Sequence, residues 1–466
     1  MPVPMLAKMS RRAFVRAAAI LAVRHVAHAQ PGKLADLPRF DGALDIDLRA
    51  REELAVDVGR NIRRVPLAVL RPKSFSDVVT LVRYAHRHGI KVAMRGQGHS
   101  QYGQTLVADG IVIDSSTLAS VSPVDDSAVD VGAGATWGAI TRATAAKGLT
   151  PPAMPDTMHL SAGGILSVGG WGNTSHRYGG VIDNVTELDV VTGEGQLTTC
   201  SEARNRDLFE ASLAGLGQCG LIVRARLRLV KAPSAVVLEQ LDYSELKPFI
   251  DDVTRFAVDD SFDHLEPRIV RADDGRWTYR IMAGRFEFGE PPRSVKKGVR
   301  IVSYAEYLAR TEPELAALRS ARHTGPRRSG SVTMFLPASA TPDFVAQTLS
   351  SRTETAGLWR YGCAPMLTKR YGRPLFKLPD ADVVFGLWLF RAVAADDKQA
   401  GAAMDEGTKS LFGRMQTVGG KFYVPYSGFP SQDVWRRHYG PDWDRFAAAK
   451  KRFDPAGVLT PGPGIF

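Results

Sequence analysis

A short loop between residues 95 and 100 carries the residue types that could bind an anion. Arg95-Gly96-Gln97-Gly98-His99-Ser100 follows an apolar strand, and its glycines allow successive backbone N–H groups to point at one anion. The loop lacks the G-x-x-x-x-G-K-[ST] order of a P-loop and a G-x-G-x-x-G that opens a helix directly. Nicotinamide binding in the usual doubly wound manner is therefore disfavoured. The alternative interpretation is a tight turn with a surface histidine.

A second glycine-rich segment, residues 163–172, follows a lone acidic residue. Its glycines indicate that the backbone comes close to something flat or large, and its apolar side chains argue against the alternative, a flexible linker. Asp156 follows Pro155 and has no cationic neighbour in sequence until His159. An ionised carboxylate there could accept a hydrogen bond, and the alternative is a helix or turn cap. The glycines are Gly163, Gly164, Gly169, Gly170 and Gly172.

Alternating strands and helices between residues 65 and 230 must position these two segments. A helix is predicted to begin at a cap, Ser74 or Ser76, and to stop at Gly89. The segment 222–230 alternates apolar residues with arginines, which predicts a sheet with one wetted face. A further helix is predicted at 137–147, and strands at 66–71, 90–94, 111–113, 129–131, 187–192 and 196–199.

The rest of the chain differs from residues 65–230 in composition and in the pattern of its predicted elements. Residues 234–420 are more polar, with an aromatic strand at Val383–Phe390 and a helix at Leu315–Arg322, and predict a second α+β domain. The tail, Trp435–Phe466, is predicted to form an aromatic helix that ends at Arg452-Phe453-Asp454-Pro455. The Pro- and Gly-punctuated end then returns to pack on the first domain.

Composition favours an exported globular protein of two or three domains. The 466 residues are 44% hydrophobic and include no run of eighteen apolar residues, so no membrane span is expected. Residues 1–29 contain five cationic residues and no acidic residue, so they account for five of the +11 net charge. No basic cluster in the sequence is interleaved with aromatic residues, which argues against nucleic-acid binding. Three cysteines show no metal-like spacing. One disulfide is possible, and buried thiols are the favoured interpretation.

Residues 1–29 have the pattern of a bacterial twin-arginine signal peptide. Arg11-Arg12 precede an apolar run, and Ala27-His28-Ala29 supplies a cleavage site before Gln30. We therefore expect the export machinery as a partner and a periplasmic or secreted location. This route carries folded proteins, which suits an enzyme that acquires a cofactor in the cytoplasm. The alternative is a ragged basic N-terminus.

Taken in order, the motifs resemble those of vanillyl-alcohol-oxidase type FAD-binding flavoproteins, and within them most closely those of cytokinin dehydrogenases. The resemblance covers most of 65–230 and 421–466, whereas the middle matches loosely. It implies an α+β fold in which a PCMH-type FAD-binding domain is built from two discontinuous segments, 31–233 and 421–466, around an inserted α+β substrate domain, 234–420. The motifs are Arg95–Ser100 with Gly103-Gln104, Val129–Gly134 with Trp137, Gly163–Ser167, Asn184–Gly193, Asp207-Leu208-Phe209, Gly215–Gln218, Trp443–Phe446, Lys451–Pro455 and Pro461-Gly462.

The resemblance implies that His99 bonds the 8α-methyl carbon of FAD, since a neutral imidazole nitrogen is nucleophilic enough for that addition. The N–H groups of the loop would hold the pyrophosphate. Relatives with a second, cysteinyl link carry a cysteine shortly before the Gly-Gly pair, and residues 156–161 have none, so a single bond is expected. The implied cofactor-binding residues are Arg95, Gly96, Gln97, Gly98, Ser100, Gln104, Thr157, Ser161, Gly163, Gly164, Ser167, Gly217 and Ile222.

By the same resemblance, Asp156 accepts a hydrogen bond from a substrate amine and takes its proton as hydride leaves for the flavin. The product is an imine that water hydrolyses to an aldehyde and an amine, and the expected substrate is an N6-isoprenoid adenine or a related secondary amine. Reoxidation would use a quinone or O2. Met154 and Met158 stand where aromatic residues are common, so the pocket wall is expected to differ. The rivals are an alcohol or sugar oxidase and an inactive secreted flavin carrier.

Overall fold

The computed structural model describes residues 34, 36–290, 292, 296–311, 327–426, 428 and 431–466. The predicted signal peptide over 1–29 and the predicted helix over Leu315–Arg322 lie outside these residues. Three main β-sheets with helices packed against them make up the described part, which confirms the α+β prediction. No helix in this part is both long and apolar enough to cross a membrane.

The first sheet holds the strand that leads into the Gly-His loop. Three of its four strands run parallel to one another, and the fourth, at one edge, is antiparallel to its neighbour. Helix Phe75–His88 packs its apolar side chains on this sheet and ends at Gly89, whose φ of +62° is the left-handed conformation that glycine favours. The strand order is Ala43–Asp45, Ala68–Arg71, Ile111–Asp114, Val92–Arg95.

The start of helix Phe75–His88 is capped differently from the prediction. Ser74 occupies the N-cap position, but its hydroxyl makes no hydrogen bond. The carboxylate of Asp77 accepts instead from the backbone N–H groups of Lys73 at 2.8 Å and Ser74 at 3.4 Å. It also accepts from Asp41 N–H at 2.8 Å, so one buried carboxylate ties the helix to the chain before it.

The second sheet is antiparallel, in the order Ala128–Gly132, Leu221–Arg228, Val185–Val191, Leu197–Ser201. The predicted alternation along its second strand is confirmed, because the apolar residues are buried while Arg224 and Arg226 lie on the other face. Arg224 pairs there with Asp189 and Asp130. The strand pair Leu149–Thr150 and Val230–Lys231 lies apart, and the accompanying helices are Trp137–Ala145, Ala162–Val168, Ser175–Tyr178 and Arg206–Ser212.

The third sheet has nine antiparallel strands and is drawn mainly from the middle of the chain. Helices Leu246–Val258, Thr341–Ser350 and Lys398–Thr417 accompany it, and short helices occur at Leu48–Glu53 and Tyr304–Ala309. The strand Lys421–Phe422 belongs to it, so the sheet continues past the predicted domain limit at 420. Its order is Val299–Ser303, Ala235–Tyr243, Trp277–Glu287, His264–Arg271, Leu358–Leu367, Val383–Ala394, Val332–Pro337, Lys421–Phe422, with Arg327–Ser329 beside Val383–Ala394.

The C-terminal tail contains two helices, Gln432–Tyr439 and Trp443–Phe453, so the prediction of one continuous helix is wrong. Gly440 adopts a φ of +54°, which is not a right-handed helical conformation. Pro441 follows it, and a proline ring has no N–H to donate to the preceding turn, so the first helix ends here. Beyond the second helix the chain pairs with the first sheet, where Thr460 N–H donates to the carbonyl of Val92 at 2.7 Å.

All three cysteines, Cys200, Cys219 and Cys363, are free, buried thiols in the described part of the chain. Burial raises the pKa of both Cys200 and Cys219 to about 12, although nearby charges also act on each. The thiols are therefore protonated at neutral pH and chemically inert. A disulfide among them is not formed in this structure.

A buried ion pair fixes the C-terminal return. Lys450 Nζ donates to Asp454 Oδ2 at 2.6 Å and to the carbonyls of Gln218 at 2.9 Å and Leu459 at 3.3 Å. The Asp454 carboxylate accepts from the N–H groups of Val458 and Leu459, both at 2.9 Å. Lys450 therefore links the last helix, the final segment and the glycine-rich turn at 215–218.

We predict that Lys450→Met lowers the free energy of unfolding by about 3–5 kcal/mol, because it leaves a buried carboxylate without its cation. The matched control is Lys247→Met, which removes another Lys–Asp pair of i,i+4 spacing, at 2.7 Å but with 79% and 58% of the two side chains exposed. That change should be too small to resolve. Urea unfolding of the two variants tests this, and equal effects would contradict the prediction.

Candidate active site

Two glycine-containing segments meet between the first and second sheets. A Cβ added at Gly96, at the end of strand Val92–Arg95, would lie 2.0 Å from Ser161 Oγ at the start of helix Ala162–Val168. A Cβ at Gly163 would lie 2.7 Å from the Cβ of Ala133. Both distances are too short for a side chain, so the Ser161 hydroxyl and the Ala133 β-carbon leave room for glycine at these positions and for nothing larger.

A narrow channel of about 90 Å³ runs along this contact. Nine of its lining residues were not predicted from the sequence, among them Leu216 and Thr460. Thr460 Oγ1 donates to the carbonyl of Gly217 at 3.0 Å, and its position just before Pro461-Gly462 was the available signal. The channel brings together the predicted residues Gly96, Ser100, Gln104, Gly163, Gly164, Ser167, Gly217 and Ile222.

On the other side of the Gly-His loop lies a larger space of about 480 Å³, called here the histidine cavity. The His99 ring lies 5.6 Å from the ring of His159 and 6.2 Å from that of Tyr426, centroid to centroid, and is steeply inclined to both. Neither neighbour of the His99 ring was predicted from the sequence. The predicted residues Arg95, Gln97, Gly98, His99 and Thr157 line this cavity, whereas Ser161 is buried beside Gly96.

Arg95 supports the loop from beneath. Its Nη1 donates to the carbonyl of Val56 at 2.7 Å, and a Cβ at Gly98 would lie 2.3 Å from its Nη2. Gly98 adopts a φ of +61°, so the turn passes over the guanidinium without a side chain. Burial lowers the pKa of Arg95, although the charge of Asp57 opposes this. The guanidinium therefore holds the loop shape as well as lining the cavity.

Asp57 is a second anchor that was missed from the sequence. Its side chain is buried and accepts from Gly103 N–H at 2.6 Å, Gly59 N–H at 3.1 Å and Ser100 Oγ at 3.3 Å. Burial raises the pKa of Asp57, and the backbone donors and the charge of Arg95 oppose that rise. The Ser100 hydroxyl is thus already engaged in a hydrogen bond to another residue of the protein. Gln104 is likewise anchored, donating to the carbonyl of Val424 at 3.0 Å.

Asp156 is held by two side chains from distant parts of the chain. Its Oδ2 accepts from Asn173 Nδ2 and its Oδ1 from Arg310 Nη2, each at 2.7 Å. Thr311 Oγ1 donates to the backbone carbonyl of Asp156 at 2.9 Å. The absence of a cation near Asp156 in sequence was misleading, because folding brings Arg310 to it. Both carboxylate oxygens accept from side chains, as expected for an organised polar site rather than a helix cap.

Asp156 and Asn173 line a third space of about 120 Å³, the aromatic cavity. Trp171 is its centre, with ring centroids of Trp388 at 5.5 Å and Tyr423 at 6.5 Å. Met154 and Met158, which were predicted to lie on the pocket wall, line a separate small space rather than this cavity. The aromatic rings of the cavity come from the second glycine-rich segment, from the third sheet and from the residues that follow its last strand. The aromatic lining residues are Trp171, Trp388, Phe390, Tyr423 and Tyr426.

Thr157, Arg360, Phe390 and Tyr426 line both the histidine and the aromatic cavity, so the two are neighbours with a shared wall. Behind that wall Glu266 is buried and accepts from Arg360 at 3.2 Å. Burial alone would raise the pKa of Glu266, but its bond with His264 and nearby arginine charges keep the pKa well below its usual range. Burial also lowers the pKa of His264, which is neutral at pH 7.

These spaces fit FAD. The narrow channel is lined by Gly96, Gly163 and Gly217, which expose their backbone to it. A Cβ at any of them would meet a neighbouring residue, and at Gly217 it would lie 2.8 Å from Thr460 Oγ1. Such walls suit a phosphate chain contacted by N–H groups. The wider histidine cavity beside it suits a ring system, and it places His99 on its wall. The channel residues would hold the dinucleotide, and residues around His99 the flavin.

Comparison with protein families gives two matches. A family described as "FAD binding domain" matches residues 66–201. A family described as "Cytokinin dehydrogenase 1, FAD and cytokinin binding" matches residues 296–466. The first range contains His99 and Asp156, and the second contains Arg310 and most of the aromatic wall.

Similar proteins agree with these matches. An uncharacterized oxidoreductase, ORF5 of the fasciation locus of Rhodococcoides fascians, is 34% identical over 87% of this chain and 95% of its own length. Cytokinin dehydrogenase 7 of Oryza sativa subsp. japonica is 31% identical over 91% of each chain.

The structure of 6-hydroxy-D-nicotine oxidase from Arthrobacter nicotinovorans superimposes with a TM-score of 0.67 at 19% identity, covering 91% of this chain and 98% of that one. At this identity it shows the fold alone, and it confirms the predicted PCMH-type FAD-binding fold. The chain is therefore an FAD-dependent oxidoreductase that belongs to the cytokinin dehydrogenase family.

Proposed function

We propose that the protein carries FAD on His99 through a single covalent bond and oxidises the CH–NH bond of an N6-isoprenoid adenine or a related secondary amine. The observation that carries the proposal is the placement of Asp156. It lies on the wall of the aromatic cavity, which shares further wall residues with the cavity of His99. A carboxylate, planar aromatic rings and the flavin loop thus line two neighbouring cavities, which supports a single reaction site.

The aromatic cavity supports a flat substrate. Trp171 and Trp388 lie 5.5 Å apart with their planes at 48°, and Tyr423 and Tyr426 close another side at 5.9 Å from each other. Such rings bind planar heterocycles by stacking and edge contacts. The relatives named as cytokinin dehydrogenases give the same indication for an adenine derivative.

FAD, when bound, supplies the acceptor for the hydride that leaves the substrate carbon. Asp156 accepts the hydrogen bond of the substrate N–H and takes its proton as the C–H bond breaks, leaving an imine. Water then hydrolyses the imine to an aldehyde and an amine. The aromatic walls orient the ring so that the N–H points to the carboxylate. A quinone or O2 takes the electrons afterwards.

The covalent bond is tested by His99→Ala. Because the imidazole nitrogen is the proposed attachment atom, the wild-type protein should stay yellow after acid precipitation and fluoresce on a denaturing gel, and His99→Ala should not. The matched control is His159→Ala, which removes the neighbouring ring at 5.6 Å and should leave the bond intact. Flavin still bonded in His99→Ala would place the link elsewhere.

Asp156→Asn should slow anaerobic flavin reduction by N6-isopentenyladenine by about 10²–10⁴-fold, the usual effect of losing a general base. Covalent FAD should be retained. Because the substitution also removes the partner of Arg310, thermal unfolding must be measured alongside the rate.

The control for that loss is Glu354→Gln, which breaks the 2.6 Å pair of Glu354 with Arg414 away from the cavities. Glu354→Gln should lower stability and leave the rate of reduction unchanged. A wild-type rate in Asp156→Asn would remove Asp156 from the mechanism. Analysis of the product separates this activity from alcohol or sugar oxidation, since only amine cleavage releases adenine.

Export is tested separately. We propose that the enzyme leaves the cytoplasm by the twin-arginine route and begins at Gln30 after cleavage. Replacing Arg11 and Arg12 with lysine should retain the folded protein in the cytoplasm, because that route reads the arginine pair itself. Arg16→Lys, outside the pair, should be exported normally. N-terminal sequencing and fractionation measure both, and normal export of the double-lysine variant would contradict the proposal.

A further inference from the structure

Arg310 lies against Asp156 and is itself firmly held. Its side chain is 17% exposed, and its guanidinium carbon lies 4.2 Å from the centre of the Tyr307 ring. Its Nη1 donates to the carbonyl of Tyr307 at 3.0 Å. Tyr307 is buried, and its hydroxyl lies 2.9 Å from His264 Nδ1. The cation beside Asp156 therefore has a fixed position.

The carboxylate of Asp156 separates two cavities. On one side is the aromatic cavity, and on the other a small space of about 20 Å³, whose wall includes Tyr304, Tyr307 and Arg310. Asp156 and Asn173 line both spaces, whereas Arg310 lines the small one. The rotation of the carboxylate therefore decides which space its remaining acceptor positions face.

A carboxylate offers about four acceptor positions, two on each oxygen. Arg310 takes one on Oδ1 and Asn173 takes one on Oδ2, each at 2.7 Å. The next residue, Thr311, holds the carbonyl of Asp156 at 2.9 Å. Each oxygen therefore keeps an acceptor position that is not taken by Arg310 or Asn173. Because Arg310 binds from the small space, these acceptor positions are left for a donor in the aromatic cavity.

We propose that Arg310 is the positioning residue for Asp156, holding its carboxylate turned toward the aromatic cavity. The inference rests on the proposed function of Asp156 as the proton acceptor, and it adds the residue on which that function depends. Arg310 acts through Asp156 and has no separate contact with the substrate.

The test is a double-substitution cycle on the holoenzyme, with anaerobic flavin reduction by N6-isopentenyladenine as the measurement. Arg310→Met should lower the rate constant of reduction by about 10²-fold, the usual effect of a misplaced catalytic group, with a smaller change in the substrate concentration at half-saturation. In the Asp156→Asn background Arg310→Met should add no further loss beyond about twofold. Arg310→Lys, which keeps the charge without the planar fork, should recover part of the rate.

The matched control is Arg414→Met. Arg414 is also paired with a carboxylate, at 2.6 Å, and lies over the Phe344 ring at 4.0 Å, so its removal reproduces the structural loss away from Asp156. Arg414→Met should lower stability and leave the rate unchanged. A wild-type rate in Arg310→Met, or an equal loss in both backgrounds, would overturn the inference. A wild-type rate in Asp156→Asn would instead refute the proposed function.

A crystal structure of the Arg310→Met holoenzyme gives a reading that does not depend on the substrate. The Asp156 carboxylate should be rotated toward the small space or occupy two orientations, since Asn173 alone holds one oxygen. An unchanged, single orientation would refute a positioning role.

Discussion

The backbone of Gly96 and the hydroxyl of Ser161 lie so close that no side chain fits between them, and the site is arranged around this contact. It brings the end of a parallel strand in the first sheet to the start of a helix beside the second sheet. Between them remains a channel whose lining includes four glycines, and the exposed backbone N–H groups of glycines suit a cofactor with a phosphate chain. Arg95 and Asp57 then fix the loop that follows, so His99 projects from a supported turn.

The groups to which we assign the proposed reaction come from different parts of the chain and depend on each other. His99 and Asp156 lie in the range matched by the FAD-binding family, while Arg310 and most of the aromatic wall lie in the range matched by the cytokinin-binding family. Arg310 and Thr311 reach across to Asp156, so the orientation of the acid is set by the other half. The aromatic cavity is accordingly a property of the assembled fold, since the first range supplies its acid and one of its five aromatic rings, Trp171, and the second range supplies the other four.

Local signals were sufficient for much of the framework. Gly89 as a helix end, the alternation along Leu221–Arg228 and the two glycine segments were predicted because backbone freedom and side-chain periodicity act over a few residues. The choice of Asp77 over the Ser74 hydroxyl at one cap depends on a third segment, residues 41–42, whose backbone N–H groups donate to the same carboxylate. A hydrogen bond to a residue far away in sequence leaves no pattern among the residues next to the cap, so it could not be predicted.

The site itself was predicted in part. Most of the implied cofactor residues line the channel or the histidine cavity, since they belong to motifs contiguous in sequence. Arg310 stands 154 residues from Asp156, and nothing near either residue indicates the pair. The same holds for Trp388, which folding brings 5.5 Å from Trp171. Pairings between separate sheets depend on packing of the whole chain, which periodicity does not encode.

The charges around the aromatic cavity bear on the proposal that the substrate is an amine, and on which kind of amine would fit. Among the described residues that line it, Asp156 is the one carboxylate, and it is already paired with Arg310, while Arg360 adds a guanidinium to the wall. The cavity therefore offers an alkylammonium ion no unpaired negative charge that could compensate for the water it loses on binding. Burying such an ion there would cost free energy. An amine attached to an electron-poor heterocycle is neutral near pH 7 and offers an N–H donor to the carboxylate. The electrostatics thus agree with the flat aromatic walls, and both favour an arylamine over an aliphatic amine.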